Sequence, residues 1–310
     1  MTPGSAQWVD VEGRRVRLTN LDRVLYPTGT TKAEVVAYYT AVAPAILPQL
    51  ADRPVTRVRW PEGVGGERFF EKNLPNGAPG WVRHLRLPAS PGGVETGGAE
   101  TGGAGEDRAE RDEGAIVDFP FLDDLPALVW AANQSALELH TPQWRVTRDG
   151  RVRHPDRLVV DLDPGPPAGL DECARVARLV ADRLAEDGLT TTYPVTSGSK
   201  GMQLYAPLDG SLTAQQVREY ARNLAEELAA RDDGVLASMR RALRPGKVLL
   251  DWSQNHPAKT TVTPYSLRGR ERPSVAAPRS WDEVGPGMSQ LSPDEVVRRL
   301  ESDGDLLRPR

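Results

Sequence analysis

The sequence predicts an α+β fold in which helices alternate with the strands of a mixed or antiparallel sheet. The apolar run Leu158–Leu162 is typical of a buried strand. Amphipathic spacing predicts helices over Asp171–Asp187 and Thr213–Ala230. Between these helices, a strand, a Gly/Ser loop and a second strand follow one another around Thr196. Because a short loop joins antiparallel strands, this pattern disfavours a doubly wound parallel sheet.

The N-terminal part combines short strands with one helical segment. Arg14–Thr19 alternates apolar and charged side chains and predicts a strand. Thr31 and Glu34 form a capping box, which predicts a helix that begins there and extends to about Leu50, bent or broken at its prolines. A further short strand is predicted over Arg57–Trp60.

Strands and helices continue toward the C-terminus. Leu128–His140 predicts a helix, and Lys247–Trp252 predicts another apolar strand. Ser292 followed by Pro293 is typical of an N-cap with proline at the first helical position, so a last short helix is predicted there. With 310 residues, the chain is long enough for one large domain or two small ones.

The segment Pro88–Glu113 differs from the rest in composition. It is rich in Gly, Glu, Ala and Thr and has no aromatic residue, which predicts a disordered surface insert. Its seven acidic and two basic residues carry a net charge of −5, so the −4 of the whole chain leaves +1 for the remainder. Because a phosphate-binding face depends on local clusters of bases, the overall charge does not exclude a nucleic-acid partner.

The composition excludes several classes of protein. No run of 18 apolar residues is present to span a membrane, and the N-terminus lacks the apolar core of a secretion signal. Cys173 is the only cysteine, which excludes an internal disulfide and a cysteine-based zinc cluster. Its apolar helical surroundings favour a buried structural thiol. We therefore expect a cytoplasmic protein.

Three aspartates form the sharpest chemical pattern. Asp161 and Asp163, in the segment LVVDLDPG, are two residues apart and project from the same face of a strand. Carboxylates so close together repel unless a cation lies between them; the alternative is an exposed strand end whose aspartates cap a turn. Asp251 ends another predicted strand. Three converging carboxylates suit two Mg²⁺ or Mn²⁺ ions rather than zinc.

The segment TSGSKG at 196–201 is a candidate loop for binding an anion. Glycines allow backbone amides to turn toward an anion, and Ser197 and Lys200 add a hydroxyl and a positive charge. The pattern is not a Walker A loop, and a plain hairpin turn is the alternative. Its position between strands, in a chain with clustered aspartates, favours a triphosphate.

Two other features are ambiguous on composition alone. Phe69 and Phe70 stand among charged residues, where such a pair is either half-buried or exposed for stacking on bases. His140 precedes the aspartates, but a single histidine is most often a core or surface group.

Ten segments together resemble one family, the polymerase domain of the bacterial end-joining DNA ligase D, a branch of the archaeo-eukaryotic primase superfamily. They are, in chain order, LTNLDRVLYP, TTK, RVRWPEGV, FFEKN, ELHTPQWR, VVDLDPG, TSGSKG, GKVLLDWSQN, KTT and YSLRGR. The resemblance covers nearly the whole chain except its first residues and the insert. It implies a single catalytic domain over 1–310, with a primase-type fold whose sheets carry the aspartates into a central cleft.

The resemblance also implies an activity and a set of site residues. The activity is template-directed addition of nucleotides, preferably ribonucleotides, at gaps and DNA ends, with two manganese or magnesium ions. The implied metal ligands are Asp161, Asp163 and Asp251; the nucleotide contacts are His140, Ser197, Lys200, Arg244, Gln254 and Arg268; the 5′-phosphate pocket is Asn20, Arg23 and Lys32; and the pair that packs on DNA is Phe69 and Phe70. Expected partners are gapped or broken DNA, nucleoside triphosphates, a separate ATP-dependent DNA ligase and a Ku-like end-binding protein, at the nucleoid.

Two features depart from the family pattern. Gln203 stands where the pattern more often has histidine, and the insert falls at a loop that relatives use to hold ends together. No K-x-D-G adenylation motif is present, so no ligase activity is expected from this chain. Two rival functions remain: a metal-dependent phosphoesterase or nuclease using the same aspartates, and a non-catalytic DNA-end-binding module.

Overall fold

The structure, a computed structural model, describes residues 6–91 and 115–308. Six helices lie within this part of the chain: α1 (Lys32–Ala41), α2 (Ala43–Leu50), α3 (Leu125–Asn133), α4 (Leu170–Glu186), α5 (Ala214–Arg231) and α6 (Pro293–Ser302). In the described ranges, none of them combines the length and the apolarity needed to cross a bilayer.

The larger sheet has six strands and is covered by α4 and α5. Its strand order is β13 (Val235–Leu236), β14 (Val248–Asp251), β10 (Arg157–Pro164), β12 (Met202–Pro207), β11 (Tyr193–Thr196) and β18 (Ala277–Pro278). Only β13 and β14 pair parallel. Leu158, Val160 and Leu162 of β10 pack with the apolar sides of both helices. Because side chains alternate along a strand, the residues between them face away from the helices.

The smaller sheet has four antiparallel strands and is covered by α1, α2 and α3. Its order is β15 (Thr261–Val262), β7 (Ala136–Thr141), β3 (Thr56–Arg59) and β4 (Phe69–Glu71). Leu137 and Leu139 of β7 are fully buried in the core beneath these helices. On the opposite side, Val262 packs with Val159 and Tyr205 of the larger sheet. The two sheets therefore meet through the faces that their helices leave open.

Four hairpins of two strands complete the described fold. They are β1 (Gln7–Val11) with β2 (Arg14–Leu18), β5 (His84–Pro88) with β6 (Ile116–Pro120), β8 (Trp144–Val146) with β9 (Val152–Pro155), and β16 (Leu267–Arg268) with β17 (Ser274–Val275). All four pair antiparallel.

The predicted α+β class is confirmed, with a mixed sheet as its centre. The capping box of Thr31 and Glu34 starts α1, and the predicted helical segment is broken at Val42, between α1 and α2. The helix predicted over Leu128–His140 is wrong in its second half. The chain turns at Ser135, whose φ is +57°, and continues as β7, so His140 lies on a strand.

The acidic segment predicted over 88–113 begins inside the described chain. Pro88 is the last residue of β5, and the amide of Ala89 donates to the carbonyl of Ala115 over 2.9 Å. Ala89 is also buried in the apolar cluster of this hairpin. These first residues therefore belong to the fold, while 92–113 lie outside the described residues.

Candidate active site

Asp161 is at the centre of a row of three polar side chains across the larger sheet. On β10 it stands opposite Gln203 of β12 and opposite Asp251 of β14. Opposed residues of antiparallel strands project from the same face, with Cβ atoms about 5 Å apart. This face is turned away from α4 and α5 and toward the smaller sheet. The register therefore makes the two carboxylates neighbours in the cleft between the sheets.

A neutral donor holds the carboxylate of Asp161. Gln203 donates from Nε2 to Oδ1 of Asp161 over 3.1 Å, and the hydroxyl of Tyr205 donates to Oε1 of Gln203 over 2.8 Å. Burial, and then the negative charge of Asp251, raise the pKa of Asp161 to about 7. A cation that replaces the proton would relieve both effects. The donor chemistry of Asp161 and Asp251 therefore fits a divalent metal that prefers oxygen ligands.

Asp163 has the opposite surroundings, although it is two residues from Asp161. Lys200 Nζ lies 2.8 Å from Oδ1 of Asp163, and Arg244 Nη1 lies 3.0 Å from Oδ2. Two cations thus neutralise this carboxylate. In the chain as far as it is described, no group of three His, Cys, Asp or Glu side chains is arranged to hold a metal ion. The structure groups Asp161 with Asp251, and Asp163 with the basic side chains.

The carboxylate of Asp251 is fixed by the turn that follows it. Its Oδ1 accepts from the amide of Ser253 over 3.0 Å and also from the Ser253 hydroxyl. Its Oδ2 accepts from Nε2 of Gln254 over 2.9 Å. Lys259 donates from Nζ to Oγ of Ser253 over 2.5 Å, which brings a positive charge near the same carboxylate. Gln254, which the resemblance places at the nucleotide site, thus helps to orient Asp251.

The loop at 197–201 needs its glycines for close packing. Gly198 has a φ of +66°, and a Cβ there would lie 2.6 Å from Cγ of Arg268; a Cβ at Gly201 would lie 2.1 Å from the carbonyl oxygen of Leu162. Its amides already have partners inside the protein. Those of residues 197, 198 and 199 donate to the Gly201 carbonyl, the Gln290 side chain and the Ser197 hydroxyl. The amide cradle suggested by the sequence is absent at these three positions, so Lys200 supplies the loop's positive charge.

Arg268 and His140 meet at a carboxylate that sequence reasoning missed, Glu138. Arg268 Nε lies 3.1 Å from Oε1 of Glu138, and His140 Nε2 lies 2.8 Å from Oε2. Burial alone would raise the pKa of Glu138, but the hydrogen bond with His140 and the charge of Arg268 hold that pKa well below its usual range. Arg268 also donates from Nη1 to the carbonyl of Ser197 over 2.6 Å. Glu138 therefore orients two candidate triphosphate contacts and links them to the loop.

The two phenylalanines lie on the edge strand β4, next to this group. Phe69 is 38% exposed and Phe70 is 42% exposed. The ring of Phe70 packs edge-on against that of His140, with their centroids 6.3 Å apart. Both side chains are therefore partly exposed, and Phe70 adjoins the candidate nucleotide site.

A second cluster of charge surrounds Lys32, which is only 5% exposed. Its Nζ donates to the carbonyl of Thr19 over 3.0 Å. Burial, and then the positive charges of Arg23 and Arg59, lower the pKa of Lys32 to about 8. Asn20 adopts a left-handed φ of +51°, which turns the chain back toward Arg23. The cluster has the composition of an anion-binding pocket, and Arg59 is a member that the motifs did not indicate.

Arg23 is held at the rim of this pocket. Its Nη1 donates to the carbonyl of Pro61 over 2.6 Å and lies 2.7 Å from Oε1 of Glu62. Glu62 is largely exposed, so the pair is accessible to an incoming anion. The predicted residues of the 5′-phosphate pocket are therefore brought together.

The family profile described as "LigD, primase-polymerase domain" matches residues 31–307 of this sequence. The chain belongs to this family. A multifunctional non-homologous end joining protein LigD from Mycolicibacterium smegmatis is 45% identical over 298 residues, which cover 95% of this chain. The bifunctional LigD of Bacillus subtilis is 31% identical over 298 residues, which cover 94%. These matches span 36% and 43% of the length of the two relatives.

A solved structure has the same fold. It is the polymerase domain from Mycobacterium tuberculosis ligase D in complex with DNA, with 44% identity and a TM-score of 0.83. The match covers 94% of this chain and 96% of that one. The expected family and the primase-type α+β architecture are thereby confirmed, and the chain belongs to a family of nucleotidyltransferases.

Within this LigD primase-polymerase fold, Cys173 has the structural position that the sequence predicted. Its thiol is buried in α4 and lies 3.7 Å from the carbonyl oxygen of Leu162. Burial, and then the charge of Asp161, raise the pKa of the thiol to about 12. A thiol with that pKa is inert as a nucleophile at neutral pH.

Proposed function

We propose that the chain is a template-directed nucleotidyltransferase that adds nucleotides, preferably ribonucleotides, to 3′ ends at gaps and broken ends of DNA during double-strand break repair by end joining. The observation that carries the proposal is the register of β10 and β14, which sets Asp161 beside Asp251 in a cleft lined by basic side chains. The solved relative in complex with DNA supports the choice of substrate.

Asp161 and Asp251 would hold manganese or magnesium, with Asp163 as a third ligand once its basic partners find another counter-charge. Two bound ions would supply activation of the primer 3′-hydroxyl and neutralisation of the leaving pyrophosphate. The protein's own share is to fix the carboxylates before the metal arrives. Gln203 does this for Asp161, and Ser253 with Gln254 does it for Asp251.

The basic side chains of the cleft would bind the triphosphate. Lys200 and Arg244 lie against Asp163, and Arg268 lies against Glu138. A nucleoside triphosphate carries more negative charge than either carboxylate, so it would compete for the same donors. Lys200 and Arg244 would then be released from Asp163 in the complex. Lys200, Arg244 and Arg268 would thereby position the α-phosphorus and neutralise the charge of the triphosphate. Positioning and charge neutralisation are the main contributions of a protein to phosphoryl transfer.

The pocket around Lys32 would bind the 5′-phosphate on the far side of a gap or break, and Phe69 and Phe70 would pack on the DNA bases at the end. We propose that a separate ATP-dependent DNA ligase activity seals the product and that a Ku-like protein delivers the ends, at the nucleoid in the cytoplasm. The proposal assigns no ligation to this chain.

One assay separates the proposed activity from its two rivals. The protein is incubated with a duplex that carries a 5′-phosphorylated gap, together with Mn²⁺ and labelled ribonucleotides. Extension of the primer supports the nucleotidyltransferase, and shortening of a strand indicates a phosphoesterase or nuclease. Retention of the DNA without either change indicates an end-binding module. Omission of Mn²⁺ and use of deoxyribonucleotides test the cofactor and the sugar preference.

A further inference from the structure

The N-terminal hairpin β1–β2 lies outside the residues that the family profile matches, and one of its faces is left uncovered. Val16 and Leu18 project inward and are buried. The cross-strand pairs Trp8 with Arg17 and Asp10 with Arg15 alternate with those residues, so their side chains share the opposite face. We name Trp8, Arg15 and Arg17 the outer hairpin face.

The outer hairpin face combines an exposed aromatic ring with two available cations. Trp8 is 57% exposed, the largest such value among the exposed large apolar side chains of the described chain. The guanidinium of Arg15 lies over its ring, 5.1 Å from the centroid. Neither Arg15 nor Arg17 forms an ion pair with another described residue. Asp10 is on the same face, but its Oδ1 accepts from the amide of Gly13 in the turn.

The hairpin is fixed to the same structure that forms the pocket around Lys32. Asn133 of α3 donates from Nδ2 to the carbonyl of Arg17 and accepts at Oδ1 from the amide of Thr19. The carbonyl of Thr19 in turn accepts from Lys32. These hydrogen bonds therefore connect the end of β2 to the chain segment that forms the candidate 5′-phosphate pocket.

The spacing along β2 matches the spacing of charge along DNA. Arg17 is three residues from Asn20, which is at most about 11 Å of chain. Arg15 and Arg17 are about 7 Å apart on one face, and each strand of B-DNA carries a phosphate for every 3.4 Å of helix axis, so the two arginines span about two phosphates. Duplex DNA that leaves the pocket along β2 would thus meet both cations in succession.

We infer that the outer hairpin face binds the sugar–phosphate backbone of the duplex downstream of a gap, as a continuation of the 5′-phosphate pocket. The inference rests on the proposed function, because it assumes that the pocket around Lys32 receives the 5′ end. Arg15 and Arg17 contact phosphates, and Trp8 holds Arg15 in place while packing against the backbone. The face adds affinity without sequence preference, because it reads charge and not bases.

The test compares the parent with the double variant Arg15→Gln/Arg17→Gln. Both proteins are bound to phosphorylated gaps whose downstream arm has either about 3 or about 16 base pairs. The shorter arm is shorter than the reach of the five-residue strand β2, and the longer arm exceeds it. Both arms are closed by a loop so that they stay paired. Arg153→Gln is the control. Arg153 is also an exposed arginine, but it lies on β9, a strand that contacts α5, the helix on the side of the larger sheet away from the cleft.

On the long arm, the double variant is expected to bind about tenfold more weakly, and the slope of log affinity against log salt should fall by about 1.8, or 0.9 for each lost phosphate contact. The short arm and Arg153→Gln should show neither change. Trp8→Ala should weaken binding to the long arm and leave the salt slope unchanged. Melting temperatures of all variants verify that they are folded.

Parent-like affinity and salt slope of a folded double variant on the long arm overturn the inference. So does an equal loss on both arms, because that result would mean that the substitutions act through the pocket. Failure of the proposed function is a separate outcome: the parent itself would then bind gaps without any dependence on the 5′-phosphate.

Discussion

Two regions of this protein each bury an ionisable side chain beside other groups of the same charge. In the cleft the buried group is acidic, and in the pocket around Lys32 it is basic. In the cleft, burial and Asp251 raise the pKa of Asp161 to about 7. In the pocket, burial, Arg23 and Arg59 lower the pKa of Lys32 to about 8. Each group is thus pushed toward its neutral form. Under the proposed function, a bound cation would stabilise the ionised carboxylate of Asp161, and a bound anion would stabilise the charged form of Lys32.

The partners of the two groups support this conclusion. Asp161 is bound by the amide of Gln203, and Lys32 by the carbonyl of Thr19, so both direct partners are neutral. Asp163, in contrast, already has two cations within 3.0 Å. Asp163 is thus stabilised in its ionised form by protein charges alone, whereas Asp161 and Lys32 have no charged partner of this kind among the described residues, which is typical of groups at a functional site.

The largest effect is expected from removing one of the two neighbouring carboxylates in the cleft, Asp161 or Asp251. Asp161→Ala or Asp251→Ala should lower the extension rate at least about a thousandfold, about 4 kcal/mol of barrier, because the carboxylates that bind metal are lost. DNA retention should be largely unchanged, since removing negative charge does not weaken phosphate contacts. The exposed Asp182→Ala in α4 is the control. Extension near the parental rate by either variant would remove that residue from the metal site.

Removing the buried Lys32 should change how the protein recognises a gap and should not change the rate of nucleotide addition itself. Lys32→Ala should abolish the preference for a 5′-phosphorylated gap over a dephosphorylated one, which we expect to be about ten- to a hundredfold, or 1.5–3 kcal/mol, in the parent. Binding measured with both gaps, for both proteins, checks this expectation. Equal affinity of the parent for the two gaps contradicts it.

The unpaired carboxylate should also reduce stability when no metal is present. The pKa of Asp161 is raised above its unfolded value of 3.8, so the folded state binds more protons between about pH 4 and 7, and stability falls as the pH rises through that window. At pH 8 the penalty is fully present. Asp161→Asn should therefore increase the free energy of unfolding by about 1–2 kcal/mol in metal-free buffer at pH 8. An unchanged or lower melting temperature would argue against a buried, ionised Asp161.

Lys32 should affect the pH dependence of stability in the direction opposite to Asp161. Its pKa is lowered to about 8 from 10.5, so the unfolded state binds more protons between these values, and stability rises with pH across that window. Affinity for the 5′-phosphate should instead fall above pH 8, because Lys32 loses its charge. We expect about a three- to tenfold loss between pH 7 and 9 for the phosphorylated gap only. The same loss for the dephosphorylated gap would assign it to another group.

Sequence patterns predicted the elements with strong local signals and missed those that depend on tertiary pairing. The amphipathic helices α4 and α5 and the strand of Asp161 follow from local periodicity, which burial enforces. The strand of His140 was missed because helical spacing continues across the left-handed turn at Ser135. Glu138 gains a role only because β16 brings Arg268 beside β7.

The phosphate loop illustrates the same limit. Its sequence shows glycines that free the backbone, but Gln290, far along the chain, takes the amide of Gly198. No local pattern indicates such a contact. The grouping of Asp163 with Lys200 and Arg244, and not with Asp161, is likewise a result of side-chain packing that spacing along a strand does not show.

The smallest effect is expected at Gln203, where the family pattern more often has histidine. Its Nε2 donates to Asp161, and the Tyr205 hydroxyl, donating to Oε1, fixes the orientation of the amide. Gln203 is therefore a neutral donor that orients a carboxylate. The N–H of a neutral imidazole could donate the same hydrogen bond from a similar distance. Neither side chain would need to transfer a proton or carry a charge in this role.

Gln203→His should accordingly change nucleotide affinity by less than about 1 kcal/mol, the usual worth of a neutral hydrogen bond. Tyr205→Phe is the companion variant: it leaves Gln203 in place but frees its amide to rotate, so it should lower the extension rate at unchanged DNA retention. If the parent were barely active and Gln203→His raised the extension rate about a hundredfold, about 2.7 kcal/mol of barrier, the donor at this position would have to carry a proton or a charge. The chain would then have lost its catalytic function, and its buried carboxylate pair would be a remnant within an end-binding module.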